Sequence, residues 1–210
     1  MNSLDILRTL ANASYPLSQV TDSSTKTKRG KRERLIASAA ELMYRQGVER
    51  PTLAEIAEAA DVPPGNVYYY FKTKDDLIEA VIEARAAEVR ERLVSLDRRR
   101  TPAARLKALA RNWVEVRDMV AEHGCPLGTL SVELNDHGDG LGRQAATLFA
   151  ALIDWSGDQF HEMGVRDARE HALTLISTVQ GAALLASAFS DTDILASQVH
   201  RLERWIDSLA

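Results

Sequence analysis

Three consecutive tyrosines, Tyr68–Tyr70, follow Gly65 and Asn66 and precede Lys74. Their hydroxyl and amide groups could hydrogen-bond to base edges and phosphates, and the lysine could neutralise a phosphate. Side chains of this kind read DNA when a helix carries them into the major groove. The alternative is half-buried packing that leaves the tyrosine hydroxyls in water. The cluster therefore predicts DNA binding if the flanking residues build a helix-turn-helix.

The flanking residues have the pattern of two short helices joined by a turn. Thr52 is placed to cap the first helix, and Asp61–Val62 are expected to form the turn. Pro63–Pro64 can open the second helix, because a first-turn proline gives up an N–H that has no helical partner. Val67 and Phe71, four residues apart, are expected to anchor this helix to the first. The apolar residues of the first helix recur at helical spacing: Leu53, Ile56, Ala57 and Ala60.

A basic cluster precedes these helices, at the start of another apolar-periodic segment. Glu33 is the only acid among six basic residues: Lys26, Lys28, Arg29, Lys31, Arg32 and Arg34. Such a cluster can neutralise phosphates and release counterions, but it is also typical of a solvated or disordered arm. It favours DNA binding only together with the helices that follow.

Residues 31 to 82 resemble the TetR-type transcriptional repressors. In that family a first helix ends near a glycine, as at Gln46–Val48, and a second reads T-x-x-x-I-A-x-x-A, as at Thr52–Ala60. The family signature G-x-x-Y-x-Y/H-F-x-x-K-x-x-L then follows. It is matched by Gly65, Tyr68, Tyr70, Phe71, Lys74 and Leu77.

The resemblance implies roles for particular residues. The residues implied at base edges or in close approach to DNA are Gly65, Asn66 and Tyr68. The residues implied on phosphates are Thr52, Tyr69, Tyr70 and Lys74. Asp61 stands where the family usually has glycine; aspartate tolerates left-handed backbone, but its carboxylate could lie unfavourably near phosphates. Pro64, beside Pro63, removes one possible hydrogen-bond donor to the operator.

The remainder of the chain predicts helices and no strand, so the expected fold is all-α. We expect a flexible extension over 1–25, a three-helix DNA-binding head over 26–74, and an effector-binding and dimerisation domain over 75–210. A net charge of −4 with a basic N-terminal third leaves the acidic excess in the last domain. The solitary cysteine and the lack of a long apolar run favour a cytoplasmic protein without a disulfide or membrane span. The helices expected after the head begin at Thr73 or Lys74, then cover Ala103–Glu122, Pro126–Leu134, Leu141–Met163, Ala168–Ala188 and Thr192–Leu209.

The last two of these helices carry a second functional pattern. The final helix has a stripe with steps of four and three, and the preceding helix has small residues, including Ala183, that permit close helix approach. Burial within one subunit would explain the same pattern. The family resemblance implies a homodimer through a four-helix bundle, which a palindromic operator also requires. The predicted interface is Ala183, Leu195, Val199, Leu202 and Ile206.

Between the head and these helices, the resemblance implies a cavity for a small, partly apolar effector. Each candidate residue could equally belong to the core. No cofactor is predicted. The candidates for the cavity are Trp113, Arg117, Cys125, Leu130, Phe149, Phe160 and Gln180.

Cys125 precedes Pro126 and is expected at a helix N-terminus, where the dipole can stabilise a thiolate. Gly124–Pro126 also resembles a TetR subgroup whose sixth helix begins Gly-Cys-Pro. The thiol could therefore sense electrophiles or oxidants, or it could be a small packing residue. Metal binding by Cys125, His123 and His137 is a weak alternative. An enzyme using Ser131, Asp136 and His137 is a remote one, because no catalytic motif accompanies them.

Overall fold

The computed structural model describes residues 30–135 and 140–210. Within these ranges the chain forms helices and no strand, which confirms the all-α prediction. The predicted extension, part of the basic cluster and residues 136–139 lie outside the described residues. The helices are α1 (Lys31–Gln46), α2 (Leu53–Ala59), α3 (Pro64–Tyr70), α4 (Lys74–Leu96), α5 (Pro102–Glu115), α6 (Arg117–His123), α7 (Pro126–Asn135), α8 (Leu141–Glu162), α9 (Ala168–Phe189) and α10 (Thr192–Ser208).

The first compact unit comprises Met1–Arg85 and Leu130–Gln144. In its described part, α1 packs on α2 and α2 packs on α3. Val67 and Phe71 are buried, as expected of the residues that anchor α3. The functional boundary at residue 74 remains a prediction, because this unit also includes the first half of α4 and the end of α7.

The second compact unit comprises Ala86–Thr129 and Ala145–Ala210. Here α10 packs against α9 and α5, and α6 packs against α9. Ion pairs at the edge of the α5–α10 contact join Lys107 to Asp207 at 2.6 Å and Arg111 to Glu203. The apolar stripe of α10 is thus covered by helices of its own chain.

The expected single helix over Ala103–Glu122 is two helices. Val116 leaves the helical region, with φ −114° and ψ 19°, and separates α5 from α6. No glycine or proline in the sequence marks this break. The break follows from packing, because α5 lies chiefly on α10 whereas α6 lies chiefly on α9. Val116, which stands between the two helices in the sequence, is buried.

Candidate DNA-binding and regulatory sites

Thr52 fixes the start of α2 by a reciprocal cap. Its Oγ1 accepts a hydrogen bond from Glu55 N–H at 3.2 Å, and its own N–H donates to Glu55 Oε2 at 2.8 Å. The Thr52 hydroxyl also lies 2.8 Å from the same carboxylate oxygen. These bonds from the Thr52 N–H and hydroxyl lower the pKa of Glu55. The predicted phosphate contact of the Thr52 hydroxyl would therefore compete with Glu55.

The turn between α2 and α3 adopts the left-handed backbone that its sequence permits. Asp61 has φ 53°, where the family usually has glycine. Its carboxylate Oδ2 lies 3.4 Å from Nη1 of Arg34, on α1. Since this guanidinium partly offsets the carboxylate charge, the repulsion from DNA phosphates expected of Asp61 is reduced.

Helix α3 presents its aromatic side chains to solvent. Tyr68 is 58% exposed and Tyr69 is 77% exposed, while Tyr70 is half-buried and meets Tyr69 edge-to-face at 5.0 Å between ring centroids. Asn66 is half-buried, and a Cβ added to Gly65 would meet no atom within 4 Å. Packing inside the chain thus explains neither the exposure of Tyr68 and Tyr69 nor the glycine.

The basic residues around α3 differ from the sequence expectation. Lys74, predicted on a phosphate, bonds the carbonyl oxygen of Glu49 and lies 3.7 Å from its carboxylate. Lys72 donates to the Tyr68 carbonyl at 3.0 Å, and the Arg32 guanidinium lies 5.4 Å from the centroid of the Phe71 ring. The sequence analysis included Arg32 in the basic cluster but did not assign Lys72 to DNA, although both carry charge beside α3. The spacing could have indicated Lys72, because it follows Tyr68 by four residues, about one helical turn.

Comparisons with known proteins agree with this geometry. The family model for bacterial regulatory proteins of the tetR family matches residues 35–81, and that for the C-terminal domain of LmrA/YxaF-like transcriptional regulators matches residues 102–200. An uncharacterised HTH-type transcriptional regulator from Mycobacterium tuberculosis is 30% identical over 185 residues, covering 82% of this chain and 91% of the relative. The chain belongs to the TetR family of bacterial transcriptional regulators.

Two further TetR-family relatives extend the comparison. The transcriptional repressor NemR of Escherichia coli is 29% identical over 109 residues, which cover 52% of this chain and 54% of NemR. The solved structure of reduced NemR has a TM-score of 0.74 at 21% identity, covering 83% of this chain and 96% of NemR. A TetR-family regulator from Streptomyces coelicolor has a TM-score of 0.74 at 20% identity, covering 85% and 95% of the two chains. At these identities the two structures support the fold alone.

The residues predicted to face a partner chain are buried within one protomer. Ala183, Leu195 and Ile206 are fully buried within one protomer, and Val199 and Leu202 nearly so. Helices α5 and α9 of the same chain cover the α10 stripe. Because each of these five residues is at most 5% exposed, they form part of the protomer core.

A different apolar face is exposed on α9. Leu184 is 69% exposed, Leu185 47% and Phe189 70%, and the exposed Gly181 and Ala188 lie near them on the same helix. By length and composition this helix could also span a membrane, with a mean hydropathy of 1.6 and 39% of that window buried. Its buried residues pack on α5, α6 and α10. The helix therefore has one face in the protomer core and another without cover.

Two of the predicted effector residues lie together. The position of a Cβ on Gly128 would be 3.0 Å from Gln180 Oε1 and 3.4 Å from Cys125 Cβ, so these three residues are in close contact. Cys125 is buried, and its carbonyl accepts the first hydrogen bond of α7, from Thr129 N–H at 2.9 Å. This confirms its expected position at the helix N-terminus.

Other predicted effector residues are placed elsewhere. The Phe160 ring is fully buried against His171 and Trp205, at 5.6 Å from each centroid. Gln180 lies nine residues beyond His171 on α9, about 13.5 Å along the axis. Phe160 is thus a core residue of an aromatic cluster separate from Gln180, and its place in an effector cavity stays a prediction.

The remaining candidates divide by burial. Arg117 is exposed, and its Nε lies 3.9 Å from a carboxylate oxygen of Asp118. Phe149 is half-buried on α8, and Leu130 is buried in the first unit. Trp113 is buried, and its Nε1 has no hydrogen-bond partner; the same is true of Gln180 Nε2. Buried unpaired donors are costly, so these two atoms call for an acceptor.

Two other features bear on ligands. An open cleft of about 330 Å³ in the second unit is lined by Ile153, Asp154, Gly157, Asp158, Ala168 and Arg169. Over the described ranges no group of three or more potential metal ligands is found. His137, like Asp136, lies outside those ranges, so the weak metal alternative and the remote enzyme alternative are not tested by geometry.

Proposed function

We propose that this protein is a cytoplasmic repressor that binds a palindromic DNA operator as a homodimer and is released by a small, partly apolar effector. The observation that carries the proposal is the outward face of α3. Tyr68 and Tyr69 are exposed there beside Gly65, which has open space in front of it. Large aromatic side chains are usually covered, so a tyrosine-rich face on a helix-turn-helix indicates a partner.

The residue roles follow from position on α3. Asn66 and Tyr68 read base edges, and Gly65 permits close approach of the backbone. Tyr69 and Tyr70 contact phosphates, and Thr52 and Lys74 do so when DNA displaces their bonds to Glu55 and Glu49. Lys72 and Arg32 add positive charge beside α3. Because phosphate contacts carry no sequence information, specificity rests on Asn66 and Tyr68.

The homodimer forms through the exposed face of α9. A second copy presenting Leu184, Leu185 and Phe189 would bury the apolar area that one protomer leaves in water, as a twofold interface requires. A dimer also places two α3 helices about 34 Å apart, one DNA turn, in successive major grooves. This assignment uses the same helix pair as the sequence prediction but the opposite face.

The effector carries hydrogen-bond acceptors on an apolar body. Trp113 Nε1 and Gln180 Nε2 are buried donors without partners, and each gains a bond if a ligand supplies an acceptor. Such a ligand lowers operator affinity only if it binds the released conformation more tightly than the DNA-bound one.

Footprinting of the wild-type protein on the DNA flanking its own gene tests the proposed function. We expect protection of an inverted repeat, lost on Tyr68→Ala and retained in Val94→Ala, which changes an exposed apolar residue of α4. Uniform weak protection without a repeat, equal in wild type and Tyr68→Ala, would contradict sequence-specific repression.

Thiol sensing through Cys125 is the second candidate. Its position at the start of α7 and the NemR relative, solved in a form described as reduced, favour it. It also rests on the resemblance of Gly124–Pro126 to the subgroup whose sixth helix begins Gly-Cys-Pro. The burial of Cys125 favours a packing role instead.

Reaction with iodoacetamide at neutral pH separates the two roles. A sensor reacts faster than a free thiol, and an electrophile then releases the operator from wild type but not from Cys125→Ser. Equal release from Cys125→Ser would exclude the sensor.

A further inference from the structure

Glu133, near the end of α7, bonds the backbone of the DNA-binding head. Its Oε2 accepts the Val48 N–H at 2.5 Å, across 85 residues of sequence, within the first compact unit. The same oxygen would lie 3.1 Å from a Cβ on Gly47, whose φ of 90° also disfavours other residues. The carboxylate therefore sits directly on the loop that joins α1 to α2.

A second helix, α4, holds the same loop at the following residue, Glu49. Lys74, the first residue of α4, bonds the Glu49 carbonyl, and the loop then runs into the Thr52 cap of α2. The loop thus has one bond from α7 at Val48 and one from α4 at Glu49. Its position determines where α2 begins, and α2 supports α3.

The other end of α7 lies among the candidate effector residues. Gly128, in the first turn of α7, is in close contact with Gln180 and Cys125, and the Gln180 Nε2 donor is unpaired. Glu133 follows Gly128 by five residues on the same helix, about 7.5 Å along its axis. Gly128 and Glu133 therefore lie on one continuous helix.

A second connection runs from the end of α7 to α4. A Cβ on Gly142 would lie 2.8 Å from the Leu134 carbonyl, so the start of α8 packs tightly on α7. Gln144, two residues after Gly142 on α8, donates a hydrogen bond to Glu79 Oε1 on α4 at 3.0 Å. This connection reaches α4 without passing through the loop at Val48. A substitution at Gln144 is therefore a control for a substitution at Glu133.

We propose that Glu133 is a positioning residue that couples α7 to the DNA-reading helices through its bond to Val48. The inference rests on the proposed operator-binding function and assigns the route by which displacement at Gly128, Cys125 and Gln180 reaches the head. Effector contact with Gln180 displaces the first turn of α7, Glu133 moves with it, and the α1–α2 loop follows.

Amide hydrogen exchange tests the bond itself. Glu133→Ala is expected to speed exchange of the Val48 amide about tenfold, whereas Glu133→Gln, which keeps an acceptor oxygen, restores most of the protection. Val132→Ala, at an exposed neighbour on α7, is the control and leaves Val48 unchanged. Unchanged exchange at Val48 in Glu133→Ala would overturn the proposal, whether or not the protein binds an operator.

A double-mutant cycle tests the coupling without an identified effector. Gly128→Val forces the first turn of α7 away from Gln180 and Cys125, and circular dichroism checks that the helices persist. Affinity is measured by fluorescence anisotropy on a duplex carrying the footprinted repeat. We expect Gly128→Val to change this affinity about fivefold or more alone and in Gln144→Ala, and less than twofold in Glu133→Ala.

Three results would overturn the coupling. Gly128→Val could leave the affinity unchanged in the wild-type background, change it equally with and without Glu133, or lose its effect in Gln144→Ala instead. If no repeat is recovered by footprinting, the proposed function has failed, and the exchange measurement still decides whether Glu133 holds the loop.

Discussion

Helices α3 and α10 both carry regular side-chain stripes, yet one faces solvent and the other is covered. Tyr68 and Tyr69 of α3 are exposed, and Val67 and Phe71 anchor the other face of the same segment. The α10 stripe, with Leu195 and Ile206, is buried by α5 and α9. Periodicity identifies a face that needs cover, but only the packing of the protomer shows whether the chain itself supplies that cover.

The largest expected effect comes from breaking the covered stripe. Ile206→Glu places a carboxylate in the protomer core and should lower the free energy of unfolding by roughly 4 kcal/mol or more. Thermal melting followed by circular dichroism checks this. If Ile206→Glu were a folded monomer that melts like wild type, the α10 stripe would belong to the dimer interface and not to the protomer core.

The exposed face of α9 should respond differently. Leu184→Glu leaves the core intact and should raise the dimer dissociation constant about 100-fold, or about 2.7 kcal/mol, while the melting of the monomer stays close to that of wild type. Light scattering across protein concentrations measures it. Val94→Glu, an exposed apolar residue on α4, serves as control. A Leu184→Glu dimer as tight as that of Val94→Glu would place the interface elsewhere.

The uncovered face of α3 gives a smaller effect, specific to DNA sequence. Tyr68→Ala should cost about 1–3 kcal/mol on the operator and relax base preference, because its contacts are to base edges. Tyr69→Ala should weaken all duplexes alike. Anisotropy titrations on operator and scrambled duplexes compare the two. Equal losses on both duplexes for Tyr68→Ala would make it a phosphate contact.

The smallest expected effect concerns the α2 cap. The Thr52 N–H and hydroxyl hold the pKa of Glu55 below its usual 4.5, so the cap stabilises the head above that pH and is lost as pH falls through the lower folded value. Glu55→Gln should melt below wild type at pH 7, and the difference should shrink toward pH 3. Glu58→Gln, on the same helix, is the control. If the difference in melting temperature did not vary with pH, ionisation of Glu55 would not contribute to the stability of the cap.

Local patterns predicted the head well because its elements are set by local chemistry. Thr52 caps α2, Asp61 accepts a left-handed turn, and Pro64 opens α3, each as its residue type predicts. The break at Val116 and the burial of the α10 stripe depend on which helices pack together, and the local residue types do not predict those contacts. The sequence also does not show which cavity candidates lie together: Phe160 packs against His171 and Trp205, whereas Gln180 lies beside Gly128.

Selection of bound sequences from a random duplex pool tests the central claim most directly. Wild type should enrich an inverted repeat with half-sites about one DNA turn apart. Leu184→Glu should enrich single half-sites weakly, and Tyr68→Ala should lose preference at the positions that Tyr68 reads. Failure of wild type to enrich any repeat, or enrichment that is identical in Tyr68→Ala, would contradict the assignment of α3 as the DNA-reading helix.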